Sequence, residues 1–95
     1  MINKLLKYGI KEKTIEEIKN IDFYKYNLEI NLDNCIEIIN YLRSININKI
    51  DELMLYVPDM FISTKEEVEE RFNRNNINRI VNLINEDYTN IDELA

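Results

Sequence analysis

Glycine and proline are almost absent from this sequence, with one residue of each in 95. Sheet-rich domains depend on glycine at tight turns, and globular proteins ordinarily contain several per cent of each residue. Apolar residues make up 45% of the chain and charged residues 32%, so one modest core can be covered by a polar surface. These proportions favour a single all-α domain over residues 1–95, with helices joined by short polar links.

Apolar residues recur at helical spacing through most of the chain. Ile2 and Leu5 open a first short helix, and Gly9 is suited to end it because glycine adopts the left-handed conformation without strain. A later short helix carries Ile50 to Val57 and is broken by Pro58, after which residues 59–62 form a single turn. Residues 77–84 repeat the helical spacing and predict a further helix.

Capping boxes mark three further helix starts. In this motif a serine or threonine precedes a glutamate by three residues, and each side chain satisfies a free backbone N–H. The motifs are Thr14 with Glu17, Ser63 with Glu66 or Thr64 with Glu67, and, less fully, Asn90 with Glu93 before a final turn.

Residues 24–32 have two interpretations. Apolar and polar residues alternate strictly from Tyr24 to Leu32, which is typical of a strand. The same stretch begins a helical stripe that runs from Leu28 to Leu42. Because no other segment offers a comparable partner strand, and a lone strand leaves its hydrogen bonds unmade, we expect a long helix from about Asn27 to Arg43. A strand, paired across a dimer, is the alternative.

Three segments of the chain resemble one another. Each has a short helix, a turn and a longer helix, a unit that cannot bury both of its faces alone. The spacing predicts about two and a half helix-turn-helix units stacked into a short solenoid with atypical ends. The matching links and helix starts are Tyr8–Ile10 with Ile15–Ile18, Ile45–Ile47 with Ile50–Leu53, and Asn76–Ile77 with Ile80–Leu83.

One known family has a similar repeat. The stretch from Leu53 to Ser63, with Pro58 in an apolar turn before a serine, resembles the turn and cap of mitochondrial transcription termination factor (mTERF) repeats. The stretch from Asn27 to Ile45 is similar to the longer helix and link of those repeats. The resemblance implies a right-handed helical repeat and, as the family's function, nucleic-acid binding. Members of that family are usually longer than this chain and have a basic concave surface for nucleic acid.

The chain is poorly supplied for catalysis. It has no histidine, which removes the commonest general base and the commonest neutral metal ligand. It has no glycine-rich phosphate loop, cysteine cluster or calcium loop. Cys35 lies on the apolar stripe of the long helix, which predicts a buried structural thiol. We therefore expect neither an enzyme nor a bound cofactor or metal.

Charge is distributed unevenly along the chain, with a net value of −6. The acidic run 66–70 lies at the start of a predicted helix, where negative charge is stabilised by the helix dipole. Arginines follow it at the four-residue spacing of helical ion pairs. The alternative is that the run docks a basic partner. The arginines and asparagines of residues 71–79 could contact phosphates and base edges. The candidate partner-binding residues are therefore Glu66, Glu67, Glu70, Arg71, Arg74, Asn75, Asn78 and Arg79.

Stacked repeats, acidic charge and missing catalytic groups favour a non-catalytic module that binds another protein. The alternatives are a nucleic-acid-binding regulator of the mTERF kind and an acidic inhibitor from a mobile element. No apolar run approaches the roughly 18 residues of a membrane span, and the N-terminal apolar stretch is too short for a signal peptide. We therefore expect a cytoplasmic protein without membrane contact, present as a monomer or a homodimer.

Overall fold

A computed structural model describes residues 1–94, and this part of the chain is helical without any strand. Within it, seven α-helices lie between two 3-10 helices, Ile2–Tyr8 at the N-terminus and Tyr88–Glu93 at the C-terminus. The α-helices are α1 (Glu12–Lys19), α2 (Asp22–Ile30), α3 (Leu32–Ser44), α4 (Ile50–Tyr56), α5 (Pro58–Phe61), α6 (Lys65–Asn73) and α7 (Ile77–Glu86). The all-α prediction is confirmed.

Every one of these helices contributes to one continuous cluster of buried apolar side chains. Phe61 of α5 and Phe72 of α6 are the largest fully buried side chains. The ring of Tyr41 meets Phe72 edge to face, with ring centroids 6.1 Å apart. This arrangement is favourable because the positive edge of one ring faces the negative face of the other, and it fastens α3 to α6.

The strand interpretation of residues 24–32 is wrong, and the single long helix is also divided. α2 begins at Asp22, five residues before the predicted start, and α3 follows it after one residue. That residue, Asn31, has φ −116° and ψ 27°, outside helical values. Its side-chain Nδ2 donates to the carbonyl of Asn27 at 2.9 Å. Asparagine interrupts helices in this way because its amide competes for backbone groups. The buried stripe from Leu28 to Leu42 is nevertheless continuous across the break.

The prediction that Thr14 caps a helix is wrong. α1 begins at Glu12, so Thr14 lies inside the first turn. The cap comes instead from Asp51 of α4, whose Oδ2 accepts the backbone N–H of Lys11 at 2.9 Å and the Thr14 hydroxyl at 2.7 Å. The first α-helix is thus capped by a carboxylate that lies 40 residues after Lys11, and that carboxylate links α1 to α4.

At α6 the predicted cap at Thr64 is confirmed, but Glu67 turns its carboxylate to the Thr64 hydroxyl and not to the Thr64 backbone N–H, as a full capping box requires. The backbone N–H of Glu67 donates to Thr64 Oγ1 at 3.2 Å, and the Thr64 hydroxyl donates to Glu67 Oε1 at 3.0 Å. The alternative start at Ser63 is wrong, because the Ser63 hydroxyl donates to the carbonyl of Asp59.

The prediction that Asn90 caps the last turn is also wrong. Asp87 is the cap of the C-terminal 3-10 helix, since its carboxylate accepts the backbone N–H of Thr89 at 2.9 Å. Asn90 lies inside that helix, and its Nδ2 donates to the carbonyl of Leu83 at 2.8 Å. This bond holds the last helix against the end of α7.

Two of the matching links share a backbone conformation. Gly9 and Asn46 both adopt left-handed φ values, 83° and 72°. In each link the next residue, Ile10 or Ile47, donates its N–H to the carbonyl five residues earlier, the bond that closes a Schellman motif. Corresponding helices also pack together, α1 against α4 and α3 against α6. The number of repeats and the handedness of their stacking stay predictions.

Candidate interaction surfaces

The predicted partner-binding residues lie on α6 and α7, and much of their charge is paired within the chain. Arg74 Nη2 lies 2.9 Å from Glu70 Oε1, one helical turn away. Arg79 Nη2 lies 3.7 Å from Glu93 Oε1. Arg71 has no ion pair within 4 Å among residues 1–94. Two of the three arginines therefore already face a carboxylate.

The remaining predicted residues do not all lie beside Arg71, although Glu67 and Asn75 lie one turn before and one turn after it. Glu67 is engaged at the α6 cap, and Asn75 donates its amide to the Arg71 carbonyl at 2.8 Å. Asn78 is exposed on α7. Glu66 and Arg71 line different grooves, because residues five apart lie on well-separated sides of a helix.

Arg71 faces a groove of about 480 Å³ between α4, α5 and the C-terminal 3-10 helix. Asp59 and Asp92 line it as well, so the groove carries both signs of charge. The hydroxyl of Tyr56 donates to Asp92 Oδ2 at 2.7 Å, and this hydrogen bond raises the pKa of Tyr56. The edge of the Tyr56 ring packs on Tyr88, with centroids 5.4 Å apart. These contacts hold the rim of the groove in place.

Glu66 lies in a second groove, between α3 and α6. Lys65 Nζ lies 3.1 Å from Glu69 Oε1 and 5.9 Å from the centre of the Tyr41 ring. The bond to Glu69 raises the pKa of Lys65, whereas partial burial raises the pKa of Tyr41. Lys65 is thus held by Glu69 and by the Tyr41 ring within this groove.

The most exposed apolar surface within a helix is on α2. Phe23, Tyr26 and Ile30 have exposed fractions of 78%, 65% and 63%. Their spacings of three and four residues put them on one helical face, opposite the buried Tyr24 and Leu28. We call Phe23, Tyr26 and Ile30 the α2 ridge.

The α2 ridge has charged and polar residues on its flanks. Glu29 lies on one flank and Asn27 on the other, whereas Lys25, one turn before Glu29, lies farther round the helix toward its buried face. Asn27 donates its amide to the carbonyl of Phe23 at 2.8 Å. Within residues 1–94, neither Lys25 nor Glu29 forms an ion pair within 4 Å. The carboxylate of Glu29 is therefore free to meet a partner.

Sequence reasoning missed the α2 ridge. The predicted helix began at Asn27, which left Phe23 and Tyr26 outside it, and the alternation over 24–32 concealed their helical spacing. A helix that starts at Asp22 shows the ridge at once, because its apolar residues then fall on two opposite faces.

Cys35 is fully buried, as predicted, and burial raises the pKa of its thiol to about 12. Among residues 1–94, no three histidine, cysteine or acidic side chains are grouped so that they could hold a metal ion. No helix in the same residues has the length and apolar character needed to cross a membrane.

Comparison with known proteins gives no relative to reason from. No family model, characterised protein or solved structure matches this chain. The resemblance to mTERF repeats stays a prediction, and function has to be argued from the surfaces themselves.

Proposed function

We propose that this chain is a non-catalytic helical module that binds a protein partner through the α2 ridge. The observation that carries the proposal is that α2 is apolar on two opposite faces. Tyr24 and Leu28 pack into the core, whereas Phe23, Tyr26 and Ile30 stay in water. A helix that is apolar on both sides is ordinarily covered on both sides.

The spacing of the α2 ridge supports the same function. Helices that dock on protein partners do so through apolar anchors at positions i, i+3 or i+4, and i+7. Phe23, Tyr26 and Ile30 occupy i, i+3 and i+7. Aromatic side chains dominate the binding energy of protein interfaces because they bury a large area with few rotatable bonds.

The basic residues of α6 and α7 support nucleic-acid binding less well. Affinity for nucleic acid comes mainly from cations that neutralise phosphates, and Arg74 and Arg79 already face carboxylates of this chain. The net charge of −6 also repels a polyanion. The acidic run supports an inhibitor less well for a similar reason, since Glu67 and Glu70 are engaged within α6.

The proposal is tested by affinity capture from the native cell extract, with and without nuclease. The tagged chain is compared with a variant carrying Phe23→Ser and Tyr26→Ser, and with Leu6→Ser. Leu6 is a half-exposed apolar residue on the N-terminal 3-10 helix, outside the ridge. Circular dichroism establishes that all three proteins fold alike.

We expect the original chain and Leu6→Ser to capture the same protein, whether or not nuclease is present. The ridge variant should capture none of it. Capture that disappears with nuclease, or that the ridge variant retains in full, would contradict the proposal.

A further inference from the structure

We infer that the partner presents a helix whose apolar face is bordered by lysine or arginine side chains, and that this helix packs lengthwise on the α2 ridge. The inference rests on the proposed function, because it names the chemistry of the partner at the same ridge. Two features of α2 support it: the positions of its exposed apolar residues within a heptad, and the sign of the charges beside them.

The α2 ridge has the spacing of a coiled-coil seam. In a heptad, written abcdefg, the apolar seam occupies positions a and d and repeats after seven residues. Phe23 and Ile30 occupy position a, and Tyr26 occupies position d between them. All three side chains are exposed, so most of this seam is uncovered within residues 1–94. A second helix lying along the seam covers it, because each a and d side chain then enters a hole between four residues of the neighbour.

The charges beside the seam are acidic. Positions e and g border a heptad seam, and their charges select the partner helix. Both g positions of α2 are acids, Asp22 and Glu29, whereas its one e position is Asn27. Neither acid forms an ion pair within 4 Å among residues 1–94. Lys25 is at position c, too far round the helix to border the seam. The flank therefore offers two unpaired carboxylates, about 10 Å apart given the helical rise, and no cation.

Glu29 lies where its own helix does not stabilise its charge. It is in the last turn of α2, beside the free carbonyl groups that favour a cation, and that turn holds no basic residue. Together with Ile30 and Asp33 it lines a groove of about 310 Å³ at the break between α2 and α3. None of the six residues that line this groove is basic. A lysine or arginine at the edge of the partner's seam would enter the groove and meet both carboxylates.

The same charges argue against a second copy of this chain as the occupant. In a parallel pair of α2 helices, position g of one helix faces position e of the other, which places an acid beside Asn27. In an antiparallel pair the two g flanks face each other, and acid meets acid. Basic residues on the partner's flank instead give ion pairs with Asp22 and Glu29. The occupant that fits this flank is therefore a different, basic helix.

The probes for the test are two synthetic peptides of about 21 residues, long enough to form a helix. Both have leucine at positions a and d; one has lysine at every e and g position, and the other has glutamate there. Like charges keep each peptide from pairing with itself. Both are labelled with a fluorophore, and their binding to the purified chain is measured by anisotropy. We expect the lysine peptide to bind about tenfold more tightly than the glutamate peptide. Phe23→Ser with Tyr26→Ser should abolish its binding.

A charge reversal tests the flank itself. Asp22→Lys with Glu29→Lys should make the chain prefer the glutamate peptide, although its net charge stays negative, since that charge rises by only four from −6. The matched control is Glu66→Lys with Glu86→Lys. These acids are also exposed and also lie in the first turn of one helix and the last turn of another, α6 and α7. The control changes the net charge equally but should keep the preference for the lysine peptide. Circular dichroism establishes that both variants fold.

The outcomes separate this inference from the proposed function. Peptides that bind equally or not at all, or a reversed chain that still prefers lysine, would overturn the basic helix as partner. So would a dimer of the original chain in analytical ultracentrifugation that the variant with Phe23→Ser and Tyr26→Ser loses, because a second copy would then occupy the ridge. If capture from extract still depends on Phe23 and Tyr26 in these cases, the proposed function stands with a partner of other chemistry. If capture does not depend on them, the proposed function fails as well.

Discussion

Asp51 is the residue whose replacement should reveal most about how the chain is held together. Its carboxylate accepts two hydrogen bonds from the first turn of α1, one from the Lys11 N–H and one from the Thr14 hydroxyl. In Asp51→Ala both donors lose their acceptor. α1 has no other side-chain cap, so its N-terminus would be left to solvent.

The expected loss of stability follows from these two bonds. Removal of a helix N-cap costs about 1 kcal/mol. The Thr14 side chain is buried, and a buried hydroxyl that loses its partner costs about 1–3 kcal/mol. Thr14 can turn its hydroxyl back to a carbonyl of its own helix, which recovers part of this amount. We therefore expect Asp51→Ala to lower the free energy of unfolding by about 2–3 kcal/mol, a large fraction of what a small domain has.

The measurement is urea unfolding followed by circular dichroism. Glu52→Ala is the matched control, because Glu52 also lies in the first turn of α4 and has no such bonds among residues 1–94. A double-mutant cycle between Asp51→Ala and Thr14→Val isolates the Thr14 bond, for which we expect a coupling of about 1 kcal/mol. Equal losses for Asp51→Ala and Glu52→Ala, within about 0.5 kcal/mol, would refute the idea that Asp51 caps α1.

Three further predictions concern single buried or strained groups. Gly9→Ala should lower the free energy of unfolding by about 1–2 kcal/mol, since φ is 83° and the new Cβ would lie 2.8 Å from Arg43 Nη2; an unchanged urea midpoint would contradict this. Tyr24→Phe should cost about 1–2 kcal/mol, because the buried Met54 carbonyl loses the hydroxyl that donates to it at 2.8 Å; a loss under about 0.5 kcal/mol would show that water replaces the bond. Burial raises the pKa of Cys35 from 9.0 to about 12, so above pH 9 the unfolded state binds fewer protons than the folded one, and stability should fall as pH rises toward 12. Cys35→Ala should lessen that fall, and an unchanged slope of stability against pH would assign it to other groups.

The helical class and most buried positions follow from the sequence because spacing identifies the apolar face that each helix can bury. The stripe from Leu28 to Leu42 needs no knowledge of the neighbours to be recognised. The helix end at Gly9 could also be predicted, since few other residues tolerate its left-handed backbone conformation. The break at Asn31 could not be predicted, because a single asparagine within a helix is often tolerated.

The helix caps show that a short sequence motif alone does not predict which residue caps a helix. Thr14 and Thr64 carry the same motif, but only Thr64 caps a helix. They differ because the Thr14 hydroxyl donates to Asp51 of another helix, and a carboxylate accepts a stronger hydrogen bond than a neutral oxygen does. A four-residue motif contains no information about a carboxylate that folding brings close from another helix.

The α2 ridge was hidden for a related reason. Spacing identifies which residues share a face, but it does not say whether another helix covers that face. Phe23 and Leu28 are both apolar residues of one helix, yet Leu28 is fully buried and Phe23 is not. The separation of Glu66 from Arg71 could have been foreseen, because the helical period alone sets it.

The Asp51 cap also bears on how the chain can be synthesised and how it can vary. During synthesis α1 is complete before Asp51 is added, and Tyr24 is likewise added before Met54, whose carbonyl accepts its hydroxyl. A chain cut at Lys49 would therefore lack the acceptors to which its first two α-helices donate. A fragment that contains α4 should therefore be more stable than one that ends before it, and a shortened or extended descendant keeps the link between α1 and α4 only if it keeps both Thr14 and Asp51.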